Sequence, residues 1–396
     1  MKKKKKIGRP APWLYWPAVF IMRLIYGIKY RLKIDRSGIK GMKGPALVLC
    51  PHVSGKDHVL TALALAPRRP TYVLSYHFWA VKPLRPLLKL MRVITKRMYC
   101  ADGAAVLNIM RAAKEGNVTV LFPEGRLTWY GRSLNLTEGT AELVKKLRIP
   151  VFTIVSEGAG KCFPKWAKYP RRGKICIRTD RIFDAEQVKA LSVQEIKDIL
   201  AERMRHDGEN DMPGEKYRAK DLTAGLDGII WKCPLCGAEK SLKTENGRIR
   251  CACGLDAALD EYGVLHGAGE LKTVSDWYLF CENSVDTTVP LEREVTVSAT
   301  DEKGYMQGNV GRGILTADRE KTSFSGSLNG EKVCFSVPAS ASPAFPVSVA
   351  DHIDLYHENR LYYFSPVPDP RDSILFVAYR EKLMKEEKNS SATEEK

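Results

Sequence analysis

The sequence predicts an α/β domain, a mostly parallel sheet with helices on both faces, followed by a smaller β-rich unit. Three observations predict it. Over residues 45–182, short apolar runs alternate with stretches whose apolar residues recur every three or four positions, the signature of strand–helix repeats. Four cysteines then fall close together between residues 233 and 253. Beyond them, short β-branched and aromatic runs are separated by Gly, Pro, Asn and Asp, as in an antiparallel sheet.

In chain order, Lys2 to Lys6 form a basic run, and the stretch from Trp13 to Met22 is apolar and aromatic. Arg23 interrupts it, and Lys29, Arg31 and Lys33 close it. The uninterrupted apolar length is too short to cross a bilayer comfortably, and a single-pass anchor with a snorkelling arginine is the alternative. Tryptophan and tyrosine suit the headgroup level, and flanking lysines suit an anionic cytoplasmic leaflet. Residues 1–40 are therefore expected to lie as an interfacial anchor, holding the protein on the cytoplasmic face of the cell membrane as a peripheral or monotopic protein. No small-residue cleavage site follows, which argues against a signal peptide.

The α/β domain is expected over residues 41–205. Its candidate strands are Ala46–Cys50, Thr71–Ser75, Val93–Thr95, Val118–Phe122, Val151–Val155 and Lys174–Arg178. Helical patterns fill Asp57–Ala66, Phe78–Leu90, Ala104–Lys114, Glu138–Leu147 and Val193–Met204. Residues 206–228 read as a polar linker, 229–258 as a metal-binding ribbon and 259–384 as the β-rich unit. The strands there include Trp277–Phe280, Glu294–Ser298, Lys332–Val337, His352–Tyr356 and Leu361–Phe364, and 371–384 close it as a helix. The polar residues 385–396 are expected to be disordered.

Charge divides the same way. The net charge of +17 is concentrated in residues 1–232, which hold 45 Lys and Arg against 20 Asp and Glu; the remainder holds 18 against 26. A basic surface suits nucleic acid, anionic lipid or a phosphorylated substrate alike. The motifs favour the last two, and no nucleic-acid partner is expected.

His52 and Asp57 sit just past the first apolar run, in Pro51-His52-Val53-Ser54-Gly55-Lys56-Asp57. Histidine is the side chain whose ordinary pKa lies nearest neutral, and so the natural general base for removing a hydroxyl proton. A carboxylate five residues on, at a helix start, can turn back to the other ring nitrogen and fix its tautomer. Phe122-Pro123-Glu124-Gly125-Arg126 closes another apolar run, at the carboxyl end of a strand, where open α/β sheets place ligands. Gly125 would let backbone approach an anion, and Arg126 offers a planar fork for phosphate.

Together the two motifs resemble those of the glycerolipid acyltransferases, the lysophosphatidic acid (1-acyl-glycerol-3-phosphate) acyltransferase family, over residues 12–205. The resemblance implies direct transfer of a fatty acyl group from a thioester, on coenzyme A or acyl-carrier protein, to a lysophospholipid hydroxyl. It assigns His52 and Asp57 to catalysis, and Glu124, Gly125 and Arg126 to the acceptor's glycerol and phosphate. Lys96 and Arg97 are the candidates for a further phosphate contact, and spacing does not choose between them. Ser54 either faces the acceptor or caps the following helix. This sequence has Pro51 where the family most often has asparagine, and Thr153 where a second proline is usual.

Cys233-Pro-Leu-Cys236-Gly and Cys251-Ala-Cys253-Gly resemble the two knuckles of a zinc ribbon. Four thiolates close a zinc site, so the expected zinc is structural, holding linker and β-rich unit together. Several antiparallel strands capped by one helix resemble the pleckstrin-homology or GRAM arrangement. His352 and His357 lie in strand patterns without matching ligands and read as structural.

The function expected is acylation of a lysophospholipid, with 1-acyl-glycerol-3-phosphate giving phosphatidic acid as the leading case and anionic membrane as the surface. Another lysolipid acceptor is the alternative within this chemistry. From a different class, a non-enzymatic zinc-ribbon nucleic-acid-binding protein with a degenerate acyltransferase half is the rival.

Overall fold

A computed structural model describes residues 6–394; Lys2–Lys5 of the basic run lie outside them. The first seven strands are β1 (Lys33–Ile34), β2 (Ala46–Leu49), β3 (Thr71–Ser75), β4 (Ile94–Lys96), β5 (Val118–Leu121), β6 (Val151–Glu157) and β7 (Cys176–Phe183). They form one sheet in the order β1-β7-β6-β2-β5-β3-β4. Neighbours run parallel except for the antiparallel pair β6 and β7. Alternation along β2 explains its unbroken apolar run. Ala46 and Val48 enter the core on one face, Leu47 and Leu49 the core on the other. Full burial of each large side chain contributes roughly 1.5–3 kcal/mol.

The helices are α1 (Pro12–Lys29), α2 (Asp57–Leu65), α3 (Tyr76–Ala80), α4 (Arg85–Leu90), α5 (Gly103–Lys114), α6 (Thr140–Leu147), α7 (Ala159–Cys162), α8 (Ala185–Ala190) and α9 (Val193–Arg203). The single helix expected over Phe78–Leu90 is instead two, joined by a 3-10 turn over Lys82–Leu84. Pro83 and Pro86 lack the amide a continuous helix needs. The last strand, expected to end at Arg178, runs on to Phe183 because it pairs along the whole of β6. Capping boxes start α8 at Asp184 and α9 at Ser192.

α1 packs Tyr15, Val19, Met22 and Tyr26 inward, and leaves Trp13, Phe20, Leu24 and Ile28 exposed. No helix among the described residues is long and apolar enough to cross a membrane.

Residues 206–228, expected to link, are built in. Tyr217 is buried, donates its backbone N–H to the carbonyl of Glu261, and its hydroxyl to that of Lys174. Asp211 accepts from the Gly158 amide, and Arg171 donates to the Leu222 carbonyl.

β8 (Lys243–Glu245), β9 (Arg248–Arg250), β10 (Asp256–Leu259) and β11 (Leu265–His266) form a small antiparallel sheet carrying the cysteines. The ribbon expected to end at 258 therefore reaches His266. Next comes α10 (Val274–Asn283), where the apolar run Trp277–Phe280 predicts a strand. The Thr273–Asp276 capping box starts a helix there, and Trp277 and Tyr278 are buried on its inner face.

β12 (Leu291–Thr300), β13 (Met306–Ala317), β14 (Lys321–Leu328), β15 (Glu331–Pro338), β16 (Val347–Ser348), β17 (His352–His357) and β18 (Arg360–Pro366) build an antiparallel sheet. Its order is β15-β14-β13-β12-β18-β17-β16, so the first and last strands meet at its centre. α11 (Ser373–Glu394) packs Ile374, Phe376, Val377 and Tyr379 into the same core. It continues well into residues 385–396, a correction to the disorder expected there. Lys385 anchors that continuation by pairing with Glu282 at 2.7 Å.

Candidate active site

His52 leaves the end of β2, and Asp57 opens α2. The intervening turn brings His52 Nδ1 to 2.9 Å from Asp57 Oδ2. The same oxygen accepts the Ser54 amide at 2.9 Å, so the carboxylate is held from two sides. Asp57 is buried, while a quarter of the His52 side chain remains exposed. The imidazole lies over Phe122 with ring centroids 4.5 Å apart. Engagement of Nδ1 leaves Nε2 for the cavity that His52 lines.

Glu124 does not reach toward a ligand. It is buried and accepts the His52 amide at 3.0 Å and the Leu134 amide at 2.9 Å. Burial pushes its carboxyl up to about 7, against the two amides and the charge of His52. The structure thus places this carboxylate, expected at the acceptor, against the backbone of the histidine loop. Gly125 has φ +81°, and a Cβ there would stand 2.9 Å from the Tyr99 ring. Glycine is needed for that approach, with the Tyr99 hydroxyl donating to the Glu124 carbonyl at 3.2 Å.

Arg126 is also placed differently from expectation. Its guanidinium is buried, lies 3.8 Å above the Trp129 ring, and forms an ion pair with Glu381 of α11. The fork expected to hold phosphate is thus engaged by a carboxylate of the chain itself. Ser54 is fully buried, and its hydroxyl accepts the Lys56 amide at 3.1 Å, which makes it a turn residue rather than an acceptor contact. The structure separates Lys96 from Arg97. Lys96 lines the cavity, and burial lowers its pKa. Arg97 turns to Asn359 and Asp102 instead.

The cavity is a cleft of about 1720 Å³. Apolar residues of α1 and α4, including Leu14, Met22, Leu87 and Leu88, form much of its wall. Lys56, Lys96, Arg126 and Lys165 bring positive charge to it. Burial, and then the charge of Arg126, push Lys165 down to about 8, and its Nζ donates to the Val347 carbonyl at 2.6 Å. His58, another wall residue, has its pKa lowered by burial. Sequence reading missed Lys56, His58 and Lys165. Lys56 and His58 flank Asp57 and were within reach of inspection; Lys165 belongs to a loop with no motif.

Cys233, Cys236, Cys251 and Cys253 converge, with all four sulfurs within 4.8 Å of one another. The pair Cys233 and Cys253 is 3.7 Å apart, and Cys236 and Cys251 are 3.9 Å apart. Zn–S bonds of about 2.3 Å give a tetrahedron with edges of roughly 3.8 Å, so the residues fit zinc.

Residues 28–157 match the family described as Acyltransferase. Among solved structures, the 1-acyl-sn-glycerophosphate (LPA) acyltransferase PlsC from Thermotoga maritima is similar, with 14% identity and a TM-score of 0.42. That similarity covers 48% of this chain and 77% of the other. The matched segment is an acyltransferase-type domain, and it contains His52, Asp57, Glu124, Gly125 and Arg126.

Proposed function

We propose that this protein transfers a fatty acyl group from an acyl thioester, on coenzyme A or acyl-carrier protein, to the free hydroxyl of a lysophospholipid, with 1-acyl-glycerol-3-phosphate as the leading acceptor. The observation that carries the reading is the His52–Asp57 pair opening onto a large, apolar-walled cleft with lysines on its wall. In this reading His52 Nε2 takes the hydroxyl proton as the acceptor oxygen attacks the thioester carbonyl. The C–S bond breaks, and the departing thiolate receives the proton from the imidazolium. Asp57 orients the ring and stabilises its charged form. Glu124 positions the loop that presents it.

The apolar wall suits an acyl chain, and Lys56, Lys96 and Lys165 suit an anionic headgroup. The exposed apolar face of α1 supports docking on an anionic membrane leaflet from the cytoplasmic side. A zinc at the four cysteines would make the small sheet a rigid spacer between halves. The strand order and closing helix of the C-terminal sheet support a pleckstrin-homology or GRAM-like unit.

A second acceptor class has its own support. Because Arg126 is already paired with Glu381, a lysolipid whose headgroup needs no arginine fork fits equally well. Purified protein, assayed with a lysolipid panel and both acyl donors, should consume thioester only with a lysophospholipid present. Thioester turnover absent for every acceptor would overturn the proposal.

A further inference from the structure

Outside the His52 site, one more group of ligand-type side chains converges, and it does so across the boundary between the acyltransferase half and the β-rich half. His77 stands in the first turn of α3, directly after β3. His352 and Asp354 lie two apart on β17, so the period of the strand puts both on one face. One nitrogen from each histidine and an oxygen of Asp354 all lie within 4.8 Å of one another. His77 and Asp354 also line the large cleft.

The polar atoms here are unpaired in an unusual way. His77 Nδ1, His352 Nε2 and Asp354 Oδ1 are all buried without a hydrogen-bond partner. The side chains of His352 and Asp354 are only 9% and 5% exposed. Burying such groups without a hydrogen bond is costly, and only the long ion pairs among them offset it. Their separations are informative. His77 Nδ1 is 3.5 Å from Asp354 Oδ2, and His352 Nε2 is 3.4 Å from Asp354 Oδ1. Bonds of about 2.0–2.1 Å from nitrogen and oxygen to zinc give tetrahedral edges of roughly 3.3 Å. The two spacings run to different oxygens of Asp354; each is long for a hydrogen bond and close to that edge, and one atom from each of the three side chains lies within reach of a shared ion.

The surroundings fix the rings as a metal site requires. His352 Nδ1 lies 2.9 Å from Asp351 Oδ2, which holds the proton on Nδ1 and turns the Nε2 lone pair toward Asp354. Lone pair and carboxylate oxygen then face each other, an arrangement relieved either by a proton on Nε2 or by a metal cation between them. Tyr363 packs edge-on against both imidazoles, with centroids 5.3 Å from His77 and 5.2 Å from His352. The Asp354 backbone is pinned by its amide donating to the Pro346 carbonyl at 2.9 Å.

We propose that His77, His352 and Asp354 bind a divalent zinc-class ion that joins the two halves of the protein, with the cleft supplying the open coordination position. Two imidazoles and one carboxylate suit zinc among the common divalent ions, whereas magnesium and calcium prefer all-oxygen shells. Three protein ligands leave one position for water or an anionic oxygen from the cleft. The site is separate from the cysteine cluster and shares no residue with it.

Metal content and thermal stability of the full-length protein test this. Wild type equilibrated with zinc and then dialysed should retain one zinc more than the His77→Ala and His352→Ala variants. With cobalt in place of zinc, the sulfur-to-cobalt charge-transfer band of the cysteines should stay unchanged in both. Added zinc should raise the Tm of chelator-treated wild type more than that of chelator-treated Asp354→Asn, the rise that remains in the variant belonging to the cysteine site, while the circular dichroism spectrum stays that of wild type. Equal zinc content in wild type and both histidine variants would overturn the proposal. So would a zinc-induced rise in Tm equal in wild type and Asp354→Asn, because His352 would then simply be an imidazolium held between Asp351 and Asp354.

Discussion

Arg126 and Glu381 form a buried ion pair between the acyltransferase half and the last helix of the chain. Trp129 covers the guanidinium, and the Tyr278 hydroxyl donates to the second carboxylate oxygen at 2.9 Å. The pair ties the second motif, at the end of β5, to α11. Removing one partner leaves a buried charge without compensation, a loss of about 3–5 kcal/mol. Glu381→Ala should therefore lower the denaturant midpoint strongly. The double change Arg126→Met with Glu381→Leu should cost clearly less than the sum of the single changes. A midpoint for Glu381→Ala equal to wild type would show that the pair contributes nothing.

His52 and Asp57 share one hydrogen bond and are expected to act as one unit. Under the proposed function, His52→Ala should lower kcat by roughly 10²–10⁴-fold with little change in lysolipid affinity. Asp57→Ala should cost a comparable factor, and the double variant should be barely worse than His52→Ala alone. Multiplying losses would separate the two residues. Glu124→Gln supplies a sharper probe, because two amides point at its two oxygens and an amide side chain can accept only one. It should lower kcat without removing any group that touches substrate.

Stability should fall as pH rises through neutrality. Burial pushes the Glu209 carboxyl up to about 7 from an ordinary 4.5, despite the Ser275 amide and the charge of Arg132. Its raised value means full stability below 4.5, lost as pH climbs through about 7. For His206, burial alone would lower the pKa, but the hydrogen bond and charge of Asp211 prevail and raise it, so its contribution is likewise lost above 6.5. A tenfold difference in proton affinity between the folded and unfolded chain corresponds to about 1.4 kcal/mol. The Tm should be higher near pH ~5.5 than near pH ~8, and Glu209→Gln should flatten that slope. An unchanged slope in the variant would remove Glu209 as a cause.

If the four cysteines hold zinc, they do so as thiolates, and binding there would be coupled to folding of the small sheet. Cys233→Ser should lower both zinc content and solubility. The same zinc per chain in this variant as in wild type would contradict the assignment.

Much of this was legible because buried parallel strands are continuous apolar runs, and because a histidine and an aspartate around a helix start are local to one another. The break at Pro83 and Pro86, and the Thr273–Asp276 capping box, were also written in local sequence, although periodicity alone pointed elsewhere. What could not be read were pairings over long separations. Nothing near Arg126 announces Glu381, and nothing near His352 announces His77. Glu124 was expected at the acceptor because the family resemblance implies it, and no neighbouring residue in the sequence shows otherwise. Only the fold shows two backbone amides closing on it.

If α1 docks on a membrane as proposed, a specific loss follows. Replacing Phe20, Leu24 and Ile28 with serine should reduce retention on anionic vesicles several-fold, while thioester turnover with detergent-dispersed lysolipid persists. Retention equal to wild type would move the docking surface elsewhere.

The built-in segment between the halves has a mechanical consequence. With Asp211, Tyr217 and Leu222 each bonded to the α/β half, and Tyr217 bonded also to Glu261 of the small sheet, no hinge remains there to swing the halves apart. Under the proposed function, the apolar wall of the cleft is then the natural way in for a lipid. That wall is made by α1 and the short, proline-broken α3 and α4, where Phe78, Leu84 and Leu87 are exposed. If the protein rests on a membrane as proposed, a lipid would slide in sideways from that surface, its headgroup trailing toward the lysines, and never leave an apolar environment on the way.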